Sequence, residues 1–275
     1  MKKYSMLLIL SVLVIGMANA QEKEIDLFSV PLSNPNSPGK LIVDQLSGSI
    51  TVEAYDGKEV IVKATMSEGH GNCSGCGKDK SKSKNGMKKI STSSLNIGAE
   101  EDNNVVQIQN ELWNKKTDLF IKVPVDFSLK LETVNNGDIQ VEGVNGEMEV
   151  RNVNGSITLR NIKGSASVDT TNGEVEVLFD EINSDAPMAF SSFNGDVQVT
   201  FPSSLKADVK AKSDMGDVYT DFDMAISKNE PLVDKKTSSG KFKVKIEQWV
   251  RGTINGGGPE MLFKTFNGDI MIKSK

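Results

Sequence analysis

Apolar and polar residues alternate in short runs along most of this chain, and the runs recur at a fixed interval. Counting onward from Gly137, Gly146, Gly155 and Gly164, the second and fourth residues are Ile139 and Val141, Met148 and Val150, Ile157 and Leu159, and Ala166 and Val168. Gly173 extends the series, so a spacing of nine residues holds four times running. A period of two puts one side of an extended strand inward and the other outward. The residue before each following Gly is Asn145, Asn154, Lys163 or Asn172. Asn-Gly is a strong turn signal, because Gly accepts positive φ without steric penalty and Asn tolerates it. So short a unit cannot bury its apolar side alone. Stacking successive units at about 4.8 Å would bury that side and pair the backbone together. The pattern predicts an all-β, single-chain β-solenoid, with inward side chains piled in one continuous column that includes Ile139, Met148, Ile157 and Val175.

The motif continues at wider spacing, as expected if one coil holds two units plus loops. Asn194-Gly195-Asp196-Val197 and Asn267-Gly268-Asp269-Ile270 are close copies, and Ser47-Gly48-Ser49-Ile50 is another upstream. Met215-Gly216-Asp217-Val218 and Ser239-Gly240-Lys241-Phe242 are degenerate ones. Residues 125–275 read as the repeat solenoid. Residues 21–124 read as an irregular N-terminal cap or first coils, continuous with it in one domain. Strand candidates there are Leu41–Val43, Val60–Ala64, Leu95–Ile97, Val105–Ile108 and Leu119–Val123. An atypical first region suits a solenoid, since an uncapped end leaves strand edges open to aggregation. No stretch after Ala20 carries an amphipathic-helix pattern.

Residues 1–20 read as a secretory signal peptide: basic Lys2 and Lys3, an apolar run from Met6 to Met17, and a small-x-small cut at Ala18-Asn19-Ala20. The apolar run is too short to span a bilayer. The mature chain would begin at Gln21 without a transmembrane span, exported to the periplasm, the cell surface or the medium. No Cys follows the cut, which argues against a lipid anchor.

The formal net charge is −5, and it becomes more negative once Lys2 and Lys3 are removed. That balance argues against a general nucleic-acid or anionic-membrane binder. Aromatic residues make up 6%, thin for a carbohydrate-stacking groove. A single histidine, His70, removes most histidine-based catalysis.

Residues 68–89 form a Gly/Ser/Lys-rich insertion containing Lys78, Lys80, Lys82, Lys84, Lys88 and Lys89. It reads as a solvated loop, or more sharply as a salt-sensitive tether for acidic polymers or phospholipid headgroups. Within it, His70 precedes Cys73 and Cys76, the only cysteines. Outside the cytoplasm a small local disulfide between Cys73 and Cys76 is the default. A metal site would recruit His70, Cys73 and Cys76, one ligand short of the usual four for structural zinc. A redox pair would need a helix and a βαβ context that are not visible. Asp138, Asp196 and Asp269 follow turn glycines, but the calcium nonapeptide has further Gly and a different Asp position, so solvent-exposed turn carboxylates are expected instead. Outward positions carry Gln140, Glu142, Glu147, Glu149, Arg151, Thr158 and Arg160, mixed as on a solvated face. No nucleophile elbow, zinc-protease motif or phosphate loop is present, so no catalytic or cofactor-binding residue is assigned. Trp113 and Trp249 are expected in core or cap packing.

The run Val123-Pro124-Val125-Asp126-Phe127-Ser128-Leu129-Lys130-Leu131-Glu132-Thr133, followed by Asn136-Gly137-Asp138-Ile139-Gln140-Val141, resembles a known family. It is similar to the bacterial β-strand-repeat domain of unknown function labelled "putative adhesin", over about Leu119 to Lys273. The resemblance implies a right-handed β-solenoid in or outside the bacterial envelope, and it brings no catalytic residues. The Cys73/Cys76 insertion departs from the family pattern. The expected function is an exported, non-enzymatic, adhesin-like interaction scaffold, with an envelope protein or an extracellular glycan as partner. A polysaccharide-acting β-helix enzyme and an envelope metal or redox sensor using Cys73 and Cys76 are the alternatives.

Overall fold

The computed structural model describes residues 25–67, 97–110, 116–183, 185–227, 232–238, 241–247 and 249–275, all of them strand, turn or loop. The first strands are β1 (Ile25–Pro31), β2 (Gly39–Ser47), β3 (Ile50–Tyr55) and β4 (Glu59–Ser67), then β5 (Ile97–Asp102), β6 (Val105–Asn110), β7 (Lys116–Pro124) and β8 (Phe127–Asn135). The regular part holds β9 (Ile139–Glu142), β10 (Asn145–Asn154), β11 (Ile157–Asn172), β12 (Val175–Ile182), β13 (Met188–Asn194) and β14 (Val197–Phe201). It continues with β15 (Ala207–Met215), β16 (Val218–Thr220) and β17 (Met224–Ile226), and after β18 (Leu232–Ser238) and β19 (Lys241–Glu247) come β20 (Val250–Ile254), β21 (Glu260–Asn267) and β22 (Ile270–Ser274).

The fold is an all-β solenoid in which each rung has two strands joined by a glycine turn. One face stacks β6, β2, β8, β10, the second half of β11, β13, β21 and β15 in parallel. The other stacks β7, β3, β9, the first half of β11, β12, β14, β22 and β16, also in parallel. β11 serves both faces because it turns the corner near Asn161 and Gly164, which have φ of 52° and 106°. The nine-residue unit is therefore half a rung, and successive units lie on opposite faces. Ile139, Ile157 and Val175 stack in register on one face, whereas Met148 stacks between Leu129 and Ala166 on the other. All are buried, so the expected single column is two facing columns that close one core. Ring contacts fill the C-terminal part of that core: Phe179 stacks on Phe201 at 5.2 Å, and Phe190 on Phe263 at 5.4 Å.

Space, more than φ, demands the turn glycines. A Cβ on Gly137 would lie 2.0 Å from the carbonyl oxygen of Gly48, and one on Gly173 would lie 2.2 Å from that of Gly155. Glycines stack directly over glycines along this edge of the solenoid. Their carbonyls meet a second buried column: Thr133 donates to Gly48 O at 3.1 Å, Asn152 to Gly137 O at 2.9 Å and Thr170 to Gly155 O at 2.9 Å. Ser192, Thr265 and Ser213 continue it onto Gly173, Gly195 and Gly268 at 2.8, 2.9 and 2.8 Å. Each carbonyl thus finds a donor one rung away, as a buried acceptor requires.

Rung order departs from sequence order at both ends. The β2/β3 rung lies between those of β6/β7 and β8/β9, and the β21/β22 rung between those of β13/β14 and β15/β16. Antiparallel strands extend the ends: β5 beside β6, β4 and β1 beyond β7, and β20 and β17 beyond β15. The degenerate copy at Lys241 and Phe242 is not a rung, because β18 and β19 pair antiparallel as a separate two-stranded sheet. Of the strand candidates, Leu95 lies outside the described residues; the others fall within β2, β4, β6 and β7, and Ile97 opens β5.

Candidate interaction surface

Alternation along every strand sends the intervening side chains outward, and parallel in-register stacking converts them into rows about 4.8 Å apart. On the β8–β10 face the rows interleave opposite charges. Arg151 lies 3.0 Å from Glu149 and 3.8 Å from Glu132, and Lys130 lies 3.6 Å from Glu149 and 3.5 Å from Glu132. Arg160 pairs with Glu176 at 3.1 Å on the opposite face, and at the far edge Lys163 meets Glu181 at 2.7 Å. The Glu181 carboxylate holds the Lys163 ammonium above its ordinary pKa. Exposed pairs of this kind contribute roughly 0–1 kcal/mol each.

At the glycine edge the asparagines form an amide ladder. Asn194 donates to Asn172 at 2.8 Å, Asn172 to Asn154 at 2.9 Å and Asn154 to Asn135 at 3.1 Å. The turn aspartates have structural partners in addition to the solvent contact expected of them: Asp138 is exposed, and Asp196 and Asp269 are half-buried. Asp138 accepts the Ser156 N–H at 2.8 Å, Asp196 that of Asp269 at 2.8 Å, and Asp269 that of Asp217 at 2.9 Å. A carboxylate thus ties each of these turns to its neighbour. Asp217 and Asp269 together hold the Tyr219 hydroxyl above its ordinary pKa.

Beside the amide ladder runs an exposed apolar stripe. Leu46, Val153, Phe193 and Phe266 stand at the strand position just before the turn, and are 45%, 39%, 51% and 37% exposed. Phe193 and Phe266 stack at 4.8 Å with planes 3° apart. The row that holds them crosses five rung steps, roughly 24 Å at about 4.8 Å each, and also passes Val134 and the exposed, polar Thr171. A signal for it existed in the sequence: Phe193 and Phe266 fall on the outward parity, out of phase with the buried Phe190 and Phe263.

Two shallow, open depressions interrupt the surface. One of about 380 Å³ is lined by Pro31, Leu32, Tyr55 and Ile61, and one of about 400 Å³ by Ser128, Gly146, Lys163 and Glu181. In the first, burial raises the Tyr55 pKa, and its hydroxyl donates to the Glu59 carbonyl at 2.7 Å. His70, Cys73, Cys76 and Trp113 lie outside the described residues, as do residues 1–20. Trp249 is not in the core; half-buried, its ring faces the amines of Lys210 at 4.6 Å and Lys212 at 5.8 Å.

Two-strand parallel rungs, a glycine spine and outward rows define a β-solenoid. Residues 120–255 match the family model described as Toastrack DUF4097. Among solved structures, a "putative cell adhesion protein" from Clostridium sporogenes is similar at 14% identity and TM-score 0.46, covering 92% of this chain and 100% of its own. A "putative adhesin" from Bacteroides fragilis is similar at 12% identity and TM-score 0.41, covering 92% and 98%. None of the curated proteins matches the chain.

Proposed function

We propose that this protein is an exported, non-enzymatic scaffold, adhesin-like in the loose sense, that contacts a protein or glycan of the cell envelope through the outer rows of its solenoid. The observation that carries this reading is the apolar stripe ending in the Phe193–Phe266 stack. Phe193 and Phe266 are already stacked on one another, so contact with them costs little side-chain ordering. Single exposed apolar residues are ordinary, but an aligned row marks a contact surface. Export is supported by the basic, apolar and small-x-small features of residues 1–20. Residues 21–275 act as one continuous domain in this reading, with a Cys73–Cys76 disulfide in the insertion.

Retention of envelope components on immobilised protein tests it. The scaffold reading expects a defined partner that the Phe193→Ser/Phe266→Ser double variant loses while staying folded. Equal retention by both proteins, or turnover on a panel of glycans, would count against it. Thiol titration with metal analysis of the purified protein tests the disulfide; free thiols or a stoichiometric metal would remove it.

A further inference from the structure

Cations on the outer faces of this solenoid are mostly interleaved with carboxylates, but one region breaks the rule. On adjacent strands β20, β15 and β21, Lys210 is directly opposite Arg251, and Lys212 is directly opposite Lys264. Like charges placed directly opposite on neighbouring strands repel. Among the described residues the sole carboxylate paired with these four is Asp214, 3.1 Å from Lys212. The Trp249 ring holds the Lys210 and Lys212 amines over the sheet, at 4.6 and 5.8 Å. A chain with a formal net charge of −5 therefore concentrates four cations on three adjacent strands.

We propose that this patch is a binding site for an anionic polysaccharide carrying carboxylate or sulfate groups, with Lys210, Arg251 and Lys264 as its charge contacts and the less exposed Lys212, held by Asp214, adding to the local field. The row that continues from Lys210 is uncharged, with Leu262, Ala189 and Ser167 in register, whereas the row from Lys264 passes Ser191 to Asp169. A stiff linear polymer lying across the strands would meet two cations one strand spacing apart, about 4.8 Å, in each of two rows. A fluid lipid surface has no need of such periodicity. The indole edge supplies a contact for the sugar ring next to the charges. This proposal deepens the scaffold reading and rests on it in taking the outer sheet face as the contacting surface.

The test uses the full exported chain on immobilised polygalacturonate and dextran sulfate, with neutral dextran as control. Both polyanions should retain the protein at low salt and release it as salt rises, since exposed charge contacts are screened. The Arg251→Gln/Lys264→Gln double variant should bind about ten-fold or more weakly, a change of about 1.4 kcal/mol. The Lys130→Gln/Arg151→Gln variant, which removes carboxylate-paired cations, should bind like the parent. Trp249 fluorescence should shift on binding, a local readout independent of retention. Circular dichroism establishes that each variant is folded. No retention by either polyanion, equal losses in the two double variants, or capture by phosphatidylglycerol vesicles without capture by polysaccharide would each overturn the proposal. A protein that ignores polyanions yet still loses its envelope partner in the Phe193/Phe266 variant would sink this proposal alone and leave the scaffold reading standing.

Discussion

The hydroxyl of Thr170 donates to the carbonyl oxygen of Gly155, one rung away, at 2.9 Å. Because Thr170 is 2% exposed, water cannot easily replace that donor. Thr170→Val keeps the shape and orphans the carbonyl, so it should cost about 1–3 kcal/mol. Thr170→Ser should cost less, and urea unfolding midpoints at unchanged slope would check both.

Gly173→Ala should be more damaging than its size suggests. The new methyl would meet the Gly155 oxygen at 2.2 Å, and backbone on the adjacent rung cannot step aside as a flexible side chain could. A loss of roughly 1–3 kcal/mol or more is expected from such overpacking. Gly98→Ala is the control, because nothing lies within 4 Å of its Cβ position. That substitution should shift stability by no more than about 0.5 kcal/mol.

Two phenylalanines in one strand should behave oppositely. Phe190 is fully buried, and Phe190→Ala should cost about 3–5 kcal/mol through lost burial and the cavity left behind. Phe193 is 51% exposed, and Phe193→Ala should unfold at nearly the parent's midpoint while weakening partner retention. A large stability loss at Phe193 would mean that the stripe serves packing and not contact.

The Glu101 carboxylate accepts from Ser33 through its N–H at 3.0 Å and its hydroxyl at 2.8 Å, and from the Asn104 N–H at 2.9 Å. Those donors hold its pKa below the ordinary carboxylate value. A depressed folded pKa adds stability above the unfolded pKa and loses it as pH falls through the folded one. Amide exchange at Ser33 and Asn104 should therefore rise, beyond its intrinsic pH dependence, on acidification from about pH 7 to about pH 3. Glu101→Gln should abolish the pH-dependent part of that loosening.

Much of the architecture was legible because the nine-residue period and the inward parity are local properties. Ile139, Ile157 and Val175 could be placed in one stack from spacing alone. Met148 could not be placed opposite them, because the period of glycines is the same whether successive units share a face or alternate. The role of Gly137 was only half visible: φ explains a turn, but the 2.0 Å approach to Gly48 O depends on a neighbour far along the chain. For the same reason the bond from the Ser156 N–H to the exposed Asp138 carboxylate was not visible. The cation patch was hidden too, since Lys212 and Lys264 become neighbours only through the pairing of β15 with β21.

The displaced C-terminal rung has a consequence for how the protein is made. Between β14 and the place where β16 must settle, a gap one strand thick waits for residues 260–275, which are synthesised after both of its neighbours. Growth from the N-terminus can proceed coil by coil only as far as Phe201. Beyond that point the tail must come back and wedge itself in, like a keystone set after the arch. A nascent chain that has not yet reached those residues would hold β15 and β16 with no partner strand beneath them, so these rungs close only once β21 and β22 have arrived.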